Sequence, residues 1–357
     1  MINSIIKEDM EDIYSRRKDW SVLNNKTVLL TGAYGMLASY ITYFLYYLKN
    51  EKNIKVNLIA VVRSEEKFYK KFKNLKNIEQ IHLVESDLKD ILQVEENVDY
   101  IIHAASLASP QFYNVCPVDV LEPNTIGNYN LLNFAKDKSV KSYLLFSTGD
   151  VYGKLNTATG LIDEHVFGSL DTLDIHNCYS ESKRMAETMC KAFYVQYNVP
   201  TKIARIAHTY APTMDIENDP RVFASFVKNI VNHENIIMKS DGTGKRAFCY
   251  ISDAVAGYFS ILLDGENGEA YNVCNREQFI SVRELADILA GLYPERNIEV
   301  VRKERCANEN YTENSLLVGS ESTLNDSKLK KLGWETRIDV RTGFDRVIRY
   351  IENESTK

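Results

Sequence analysis

Thr27-Val-Leu-Leu-Thr31-Gly32-Ala-Tyr34-Gly35-Met36-Leu37-Ala38 is the stretch that decides how this chain folds. The run to Thr31 is short, apolar and β-rich, and an apolar helical pattern follows from Met36 to Leu48. Strand, glycine turn and helix in that order form the context a dinucleotide-binding βαβ unit requires. Gly32 permits the tight turn, Gly35 lets backbone approach a pyrophosphate, and Ala38 is small enough for close helix–strand packing. The helix N-terminus then offers unpaired N–H groups to phosphate. Gly32, Tyr34, Gly35, Met36 and Leu37 are therefore the first candidates for cofactor contact.

Short apolar runs of buried-strand type recur downstream at 56–62, 80–84, 100–104, 143–146 and 201–206, separated by helical patterns such as 118–137. That alternation predicts an α/β fold, a Rossmann-type doubly wound parallel sheet covered on both faces. Residues 1–25 read as an N-terminal helical extension and 26–206 as the dinucleotide-binding domain. Strict alternation breaks down after His208. Residues 207–357 read as a smaller α/β substrate-binding cap, with some segments returning to the main sheet.

The strand ends carry the chemistry in such sheets. The second strand ends Val61-Val62-Arg63-Ser64, without the carboxylate that NAD binders usually place against the ribose. Arg63 can meet a 2′-phosphate, which keeps NADP open beside NAD, stack near the adenine, or simply face solvent. Asp87 and Leu88 follow the third strand, at the adenine end. After His103, the small residues Ala104, Ala105 and Ser106 let a flat cofactor lie across the strand tips, and Ser109 follows on the substrate side. Gly127 interrupts a helical pattern, which a close packing or ligand approach would justify. The fifth strand runs into Thr148-Gly149-Asp150, hydroxyl and acid together.

Tyr179 and Lys183 are spaced i, i+4, so on a helix they share a face about 5–6 Å apart at Cβ. An ammonium beside a phenol favours the phenolate, and a tyrosine lowered from about 10 can act as a general base. The fork of Arg246 suits a phosphate or a carboxylate, unless it is simply a surface arginine; His208 is either a phosphate contact or a buried structural histidine, and Arg221 is a candidate nucleotide contact.

Composition excludes several classes. The chain has 357 residues, 45% hydrophobic and 26% charged, with a formal net charge of −6 that gives no reason to expect a nucleic-acid partner. The six cysteines show no paired spacing, so neither a metal site nor a disulfide framework is expected, and a reducing, cytoplasmic setting suits them. The N-terminus lacks an apolar signal segment, and the apolar run 40–48 is too short to span a bilayer.

Four motifs stand in one order: Thr31-Gly32-x-x-Gly35-x-x-Ala38, Ser147-Thr148-x-x-Val151-Tyr152-Gly153, Tyr179-x-x-x-Lys183 and Gly242-x-x-x-Arg246. Together they resemble the extended short-chain dehydrogenase/reductase superfamily of nucleotide-sugar epimerases and dehydratases, over roughly residues 26–350. Cys178-Tyr-x-Glu-x-Lys-Arg184, Asp219-x-Arg-Val222 and Arg246-Ala-Phe-x-Tyr-x-Ser-Asp253 are most similar to UDP-glucuronate decarboxylases.

The resemblance implies bound NAD, a UDP-sugar substrate, and oxidation at sugar C4. In it Tyr179 takes the hydroxyl proton, Lys183 tunes Tyr179 and holds the nicotinamide ribose, and Thr148 bridges phenol and substrate. It also implies a homodimer built on a four-helix contact. The fate of the 4-ketone turns on residues 149 and 150. Dehydratases typically carry Asp-Glu there and decarboxylases Ser-Glu, whereas this chain has Gly149-Asp150. Gly149 cannot donate a proton, which disfavours a 4,6-dehydratase, and a small residue also suits a 4-epimerase. A non-catalytic cofactor-binding regulator is the reading from another class, disfavoured by the intact Thr148, Tyr179 and Lys183.

Overall fold

The computed structural model describes residues 2–155, 160–303 and 322–355. Its main sheet has seven strands, β1 Thr27–Thr31, β2 Asn57–Val62, β3 His82–Glu85, β4 Tyr100–His103, β5 Ser142–Thr148, β6 Thr201–Ile206 and β7 Glu269–Val273. They lie in the order β7-β6-β5-β4-β1-β2-β3, and every pairing is parallel. The chain winds outward from β1 in both directions, so a crevice opens at the carboxyl ends of β1 and β4, where open α/β sheets bind ligands.

The helices are α1 Ser4–Ser15, α2 Met36–Glu51, α3 Glu65–Lys71, α4 Pro117–Glu122, α5 Asn128–Lys138, α6 Cys178–Tyr197, α7 Val222–Val231, α8 Ile251–Asp264, α9 Val282–Ala290, α10 Ser327–Lys330 and α11 Val340–Ser355. Strand residues alternate between two apolar layers. Val28 and Leu30 join the core with Phe44 of α2 and Phe259 of α8, while Leu29 faces Ile101, Leu131 of α5 and Phe193 of α6. A π-turn at Pro123–Gly127 joins α4 to α5. A Cβ at Gly127 would lie 2.9 Å from the Leu88 Cβ, so close packing explains that glycine.

Helix α1 is docked into the core by polar as well as apolar contacts. The buried Asp9 carboxylate accepts from Tyr40 at 2.9 Å, Tyr250 at 2.7 Å and Arg346 at 2.6 Å. Those partners come from α2, the end of the short strand Cys249–Tyr250, and α11. Just after α1, Arg16 pairs with the buried Asp253 at 2.6 Å. Trp20 then packs its ring edge-on against Phe44 and Phe259, at 4.8 and 5.5 Å.

Short strand pairs build the region beyond β6. Thr209–Tyr210 runs parallel to Cys249–Tyr250, and Lys245–Ala247 antiparallel to Phe279–Ser281. β7 and α8 return to the main sheet and its covering layer. No helix among the described residues is long and apolar enough to cross a membrane. The described cysteines, Cys116, Cys178, Cys190, Cys249 and Cys274, are free thiols.

Candidate active site

The turn after β1 is shaped by sterics. Gly32 has φ +67°, and a Cβ there would come 2.9 Å from the Ala105 Cα. Its N–H donates to Val61 O at 2.9 Å, and Gly35 N–H donates back to Gly32 O at 2.8 Å. Gly35 caps α2 without a side chain, which leaves the first N–H groups of the helix facing the crevice. Tyr34, Met36 and Leu37 flank the turn, each half-buried.

A hydrogen-bond network fixes the neighbouring tip of β4. The Thr31 hydroxyl accepts from Ala104 N and Ala105 N, both at 3.1 Å, and meets His103 Nδ1 at 2.9 Å. His103 Nε2 lies 3.1 Å from Pro123 O, which can only accept. The proton of this imidazole therefore sits on Nε2, and Nδ1 accepts from Thr31. Burial, aided by the Lys183 charge, holds the His103 pKa down at about 3, so the ring stays neutral. Beyond it, Ser106 Oγ and Ser109 Oγ are buried without a hydrogen-bond partner among the described residues. Open N–H groups, a backbone cradle and two orphaned hydroxyls fit a polar, phosphate-bearing cofactor.

The adenine end is less clearly built. Asp87 is engaged within its own turn, accepting from Lys89 N at 3.2 Å and pairing with the Lys89 ammonium at 3.5 Å. Leu88 is buried beneath Gly127. Arg63 is exposed at the end of β2. An acid does stand one strand over: Glu85 lies opposite Val62 in register, and its carboxylate accepts from Glu65 N at 2.8 Å, at the start of α3.

Tyr179, Lys183 and Glu187 lie at i, i+4 and i+8 of α6 and so share the helix face toward β5. Lys183 Nζ donates to Phe146 O at 2.7 Å and lies 5.9 Å from the Tyr179 ring centroid. Glu187 accepts from Ser147 Oγ at 2.6 Å and from Arg205 at 2.7 Å. Asn124 clamps α6 from the other side, donating to Ser182 Oγ at 3.0 Å, and Asn128 donates to Ala186 O at 3.2 Å. Thr148 and Asp150 sit at the end of β5, with Asp150 N donating to Thr148 Oγ1 at 3.2 Å.

The electrostatics differ from the expectation that Lys183 lowers the Tyr179 pKa. In the protein alone, burial and then the Asp150 charge push the Tyr179 phenol up, against a smaller downward pull from the Thr148 hydroxyl. Burial also brings the Lys183 ammonium down to about 7, partly offset by Glu187. Asp150 is itself raised by burial, while Thr148, His176 and Arg246 act to lower it. Burial thus disfavours the charged forms of Tyr179, Lys183 and Asp150 alike.

Two aromatic neighbours were not singled out from the sequence. Tyr113 stacks on Tyr179 with ring centroids 5.2 Å apart, and its hydroxyl donates to Ala108 O at 3.0 Å. The His176 ring packs edge-on against Tyr113 at 5.5 Å, and its buried Nδ1 has no partner among the described residues. Tyr113 follows Ser109-Pro110, a loop with no periodicity, so only the tertiary fold reveals it.

On the far side of the crevice, Arg221 is held bidentately by Asp219, Nε donating to Oδ1 at 2.9 Å and Nη2 to Oδ2 at 2.5 Å, and Nη1 donates to Thr209 O at 3.4 Å. Nη2 also reaches Met36 Sδ at 3.6 Å, bridging to the start of α2. Arg246 donates to Lys245 O at 2.7 Å, and its charge acts on both Asp150 and His208. A Cβ at Gly149 would lie 3.3 Å from Leu324 Cδ1 and 3.9 Å from Ala207 Cβ. The space beside Gly149 is thus filled by protein packing.

A doubly wound parallel sheet with this glycine turn, and a tyrosine–lysine helix across the crevice, defines a dinucleotide-dependent enzyme of the short-chain dehydrogenase/reductase type. The chain belongs to the NAD dependent epimerase/dehydratase family, whose model matches residues 28–274. UDP-glucuronic acid decarboxylase 6 of Arabidopsis thaliana is 34% identical over 263 residues, covering 73% of this chain and 71% of that protein. Among solved structures, UDP-glucose 4-epimerase of Thermotoga maritima with UDP-glucose superposes with a TM-score of 0.75 at 21% identity, covering 93% of this chain and all of that one. The UDP-glucuronic acid 4-epimerase of Bacillus cereus, in complex with UDP-glucuronic acid and NAD, gives 0.73 at 17% identity, covering 92% of this chain and 99% of that one. This chain is accordingly an NAD-dependent nucleotide-sugar enzyme of the extended type.

Proposed function

We propose that this enzyme decarboxylates UDP-glucuronate through transient oxidation at C4. The observation that carries the reading is the convergence of Thr148, Asp150, Tyr179 and Lys183 at the end of β5, in a chain whose curated relatives include UDP-glucuronic acid decarboxylases.

Gly32, Gly35 and the start of α2 would hold the dinucleotide pyrophosphate, with Ala104, Ala105 and Ser106 beneath the nicotinamide half. NAD, when bound, supplies the hydride acceptor for C4 and a positive charge that favours the Tyr179 phenolate. Tyr179 takes the C4 hydroxyl proton, and Thr148 bridges phenol and hydroxyl so that little reorganisation is needed. Lys183, fixed on Phe146 O, lies 5.9 Å from the Tyr179 ring centroid, where its ammonium, when charged, favours the phenolate. The C4 ketone makes the C5 carboxylate a β-keto acid, which loses carbon dioxide with little further help. Proton delivery to C5, return of the hydride to C4 and return of the proton from Tyr179 to the C4 oxygen would complete the cycle.

Gly149 offers no proton donor for water elimination, which argues against a dehydratase. The packing of Leu324 and Ala207 at Gly149 weakens the case for a 4-epimerase, since that glycine does not open room for a turning ketone. Arg221, Arg246 and His208 would receive the diphosphate. A second copy is the expected partner, because Val118 of α4, Ile126 and Tyr129 beside it, and Met185 of α6 are all exposed. The test is product analysis from UDP-glucuronate, UDP-glucose and dTDP-glucose. Loss of carbon dioxide from the first supports decarboxylation; unchanged mass with a changed sugar spectrum shows epimerisation, and loss of water shows dehydration.

A further inference from the structure

A cavity of about 340 Å³ opens between α1, α2, α3 and α11, on residues that the C4 chemistry does not use. Its volume lies in the range of small-ligand sites, about 300–1,000 Å³. Two of its walls, α1 and α11, lie outside the residues that the family model matches.

The floor is apolar. Ile6 and Phe72 are buried there, and Phe72 meets the Tyr43 ring edge-on with centroids 5.0 Å apart. Tyr43 lines the cavity from α2 and Tyr350 from α11, and neither hydroxyl has a hydrogen-bond partner among the described residues. Burial pushes both phenols up, Tyr350 to about 12, so each keeps its proton and remains a donor. Donors set in a largely apolar wall without a protein acceptor suit a ligand oxygen.

The rim is basic. Lys67, Lys70 and Lys71 come from α3, and Lys73 follows it. Lys71 is anchored, donating to Thr213 O at 3.1 Å. Lys67, Lys70 and Lys73 are exposed and have no carboxylate partner among the described residues, although acids outnumber bases in a chain of net charge −6. One acid lines the cavity, Glu354, which accepts from Asn3 Nδ2 at 3.0 Å.

We infer that this cavity is a binding site for a small phosphomonoester with a flat apolar body, separate from the crevice at the ends of β1 and β5. The body rests on Ile6 and Phe72, the two phenols donate to its oxygens, and the lysines neutralise the phosphate. Lysine ammoniums are compact charges on flexible stems, which serve phosphate well, whereas a planar carboxylate is matched better by the arginine fork. The apolar floor adds affinity that inorganic phosphate cannot collect. None of this depends on the reaction at C4.

The test uses pyridoxal phosphate, which joins a phosphomonoester, a flat ring and an aldehyde. It is incubated with the NAD-loaded protein, and its aldehyde condenses with a neighbouring lysine amine, releasing water. Borohydride then reduces the imine to a stable amine, and peptide mapping locates it. The expected result is about one label per chain, at Lys67, Lys70, Lys71 or Lys73. Pyridoxal without its phosphate is expected to label these positions about tenfold less, and naphthyl phosphate to protect them where naphthol does not. The double variant Tyr43→Phe/Tyr350→Phe keeps every lysine and should need about tenfold more probe for half-labelling. Labels spread evenly over surface lysines, labelling confined to Lys183, equal labelling by pyridoxal, or an unchanged double variant would each overturn the inference.

Discussion

Tyr113 lies face to face on Tyr179, with ring planes 12° from parallel, and holds the phenol between the loop after β4 and the end of β5. Such a contact is worth about 0.5–1.5 kcal/mol beyond area burial, enough to set the position of a reacting oxygen. Tyr113→Ala should lower kcat about tenfold with a smaller effect on KM, while Tyr113→Phe keeps the stack and most of the rate. Steady-state kinetics on both variants check this; equal losses would mean that the hydroxyl bond to Ala108 matters more than the ring.

Burial pushes the Tyr179 phenol up first, and the negative charge of Asp150 adds to that rise. Removing that charge favours the phenolate, so the base form persists to lower pH. In Asp150→Asn the acid limb of the kcat/KM profile should therefore move to lower pH. An unmoved limb would show that Asp150 is uncoupled from the base, and complete loss of turnover would give it a direct chemical role instead.

Asp9 titrates at about 7 in the folded chain, because burial outweighs the help of Arg346, Tyr250 and Tyr40. Its folded value lies above its unfolded one of about 3.9, so this group's contribution to stability is complete below the unfolded value and is lost as pH rises towards 7. Asp9→Asn does not titrate. It should gain on wild type by roughly 1 kcal/mol per pH unit between about pH 4 and 7, and run parallel above that. Thermal unfolding midpoints across that range check the prediction; parallel curves throughout would contradict it.

Ile126 and Tyr129 stand exposed beside Met185 on the faces of the π-turn, α5 and α6. A charge placed there should separate two copies while leaving each core intact. Ile126→Glu is expected to elute as a monomer in size-exclusion chromatography with an unchanged far-ultraviolet spectrum. A wild-type monomer would remove the dimer from the account.

The parts legible in the sequence are those whose signal is local. The β1 turn announces itself through Gly32 and Gly35 within a few residues of a strand and a helix, and the Tyr179–Lys183 spacing becomes a shared face as soon as α6 forms. Other features depend on contacts remote in sequence. Asp9 reads as one charge in an amphipathic helix, and only its partners Tyr250 and Arg346 reveal a buried clamp. The elevated Tyr179 pKa was equally hidden, since pairing with Lys183 can be read from spacing but burial cannot. Gly149 reads from the sequence as a small residue that suits an epimerase, but the packing of Leu324 against it comes from a segment remote in sequence.

The central claim is that C4 is oxidised and re-reduced around a decarboxylation, with Tyr179 as the base. UDP-glucuronate deuterated at C4, incubated with the NAD-loaded protein, tests it most directly when the product is read by mass and NMR. The account predicts a UDP-pentose lighter by one carbon dioxide that keeps its deuterium at C4, and turnover by Tyr179→Phe lower by about 10²–10⁴-fold. Retention of the carboxylate, or deuterium exchanged into solvent, would contradict it.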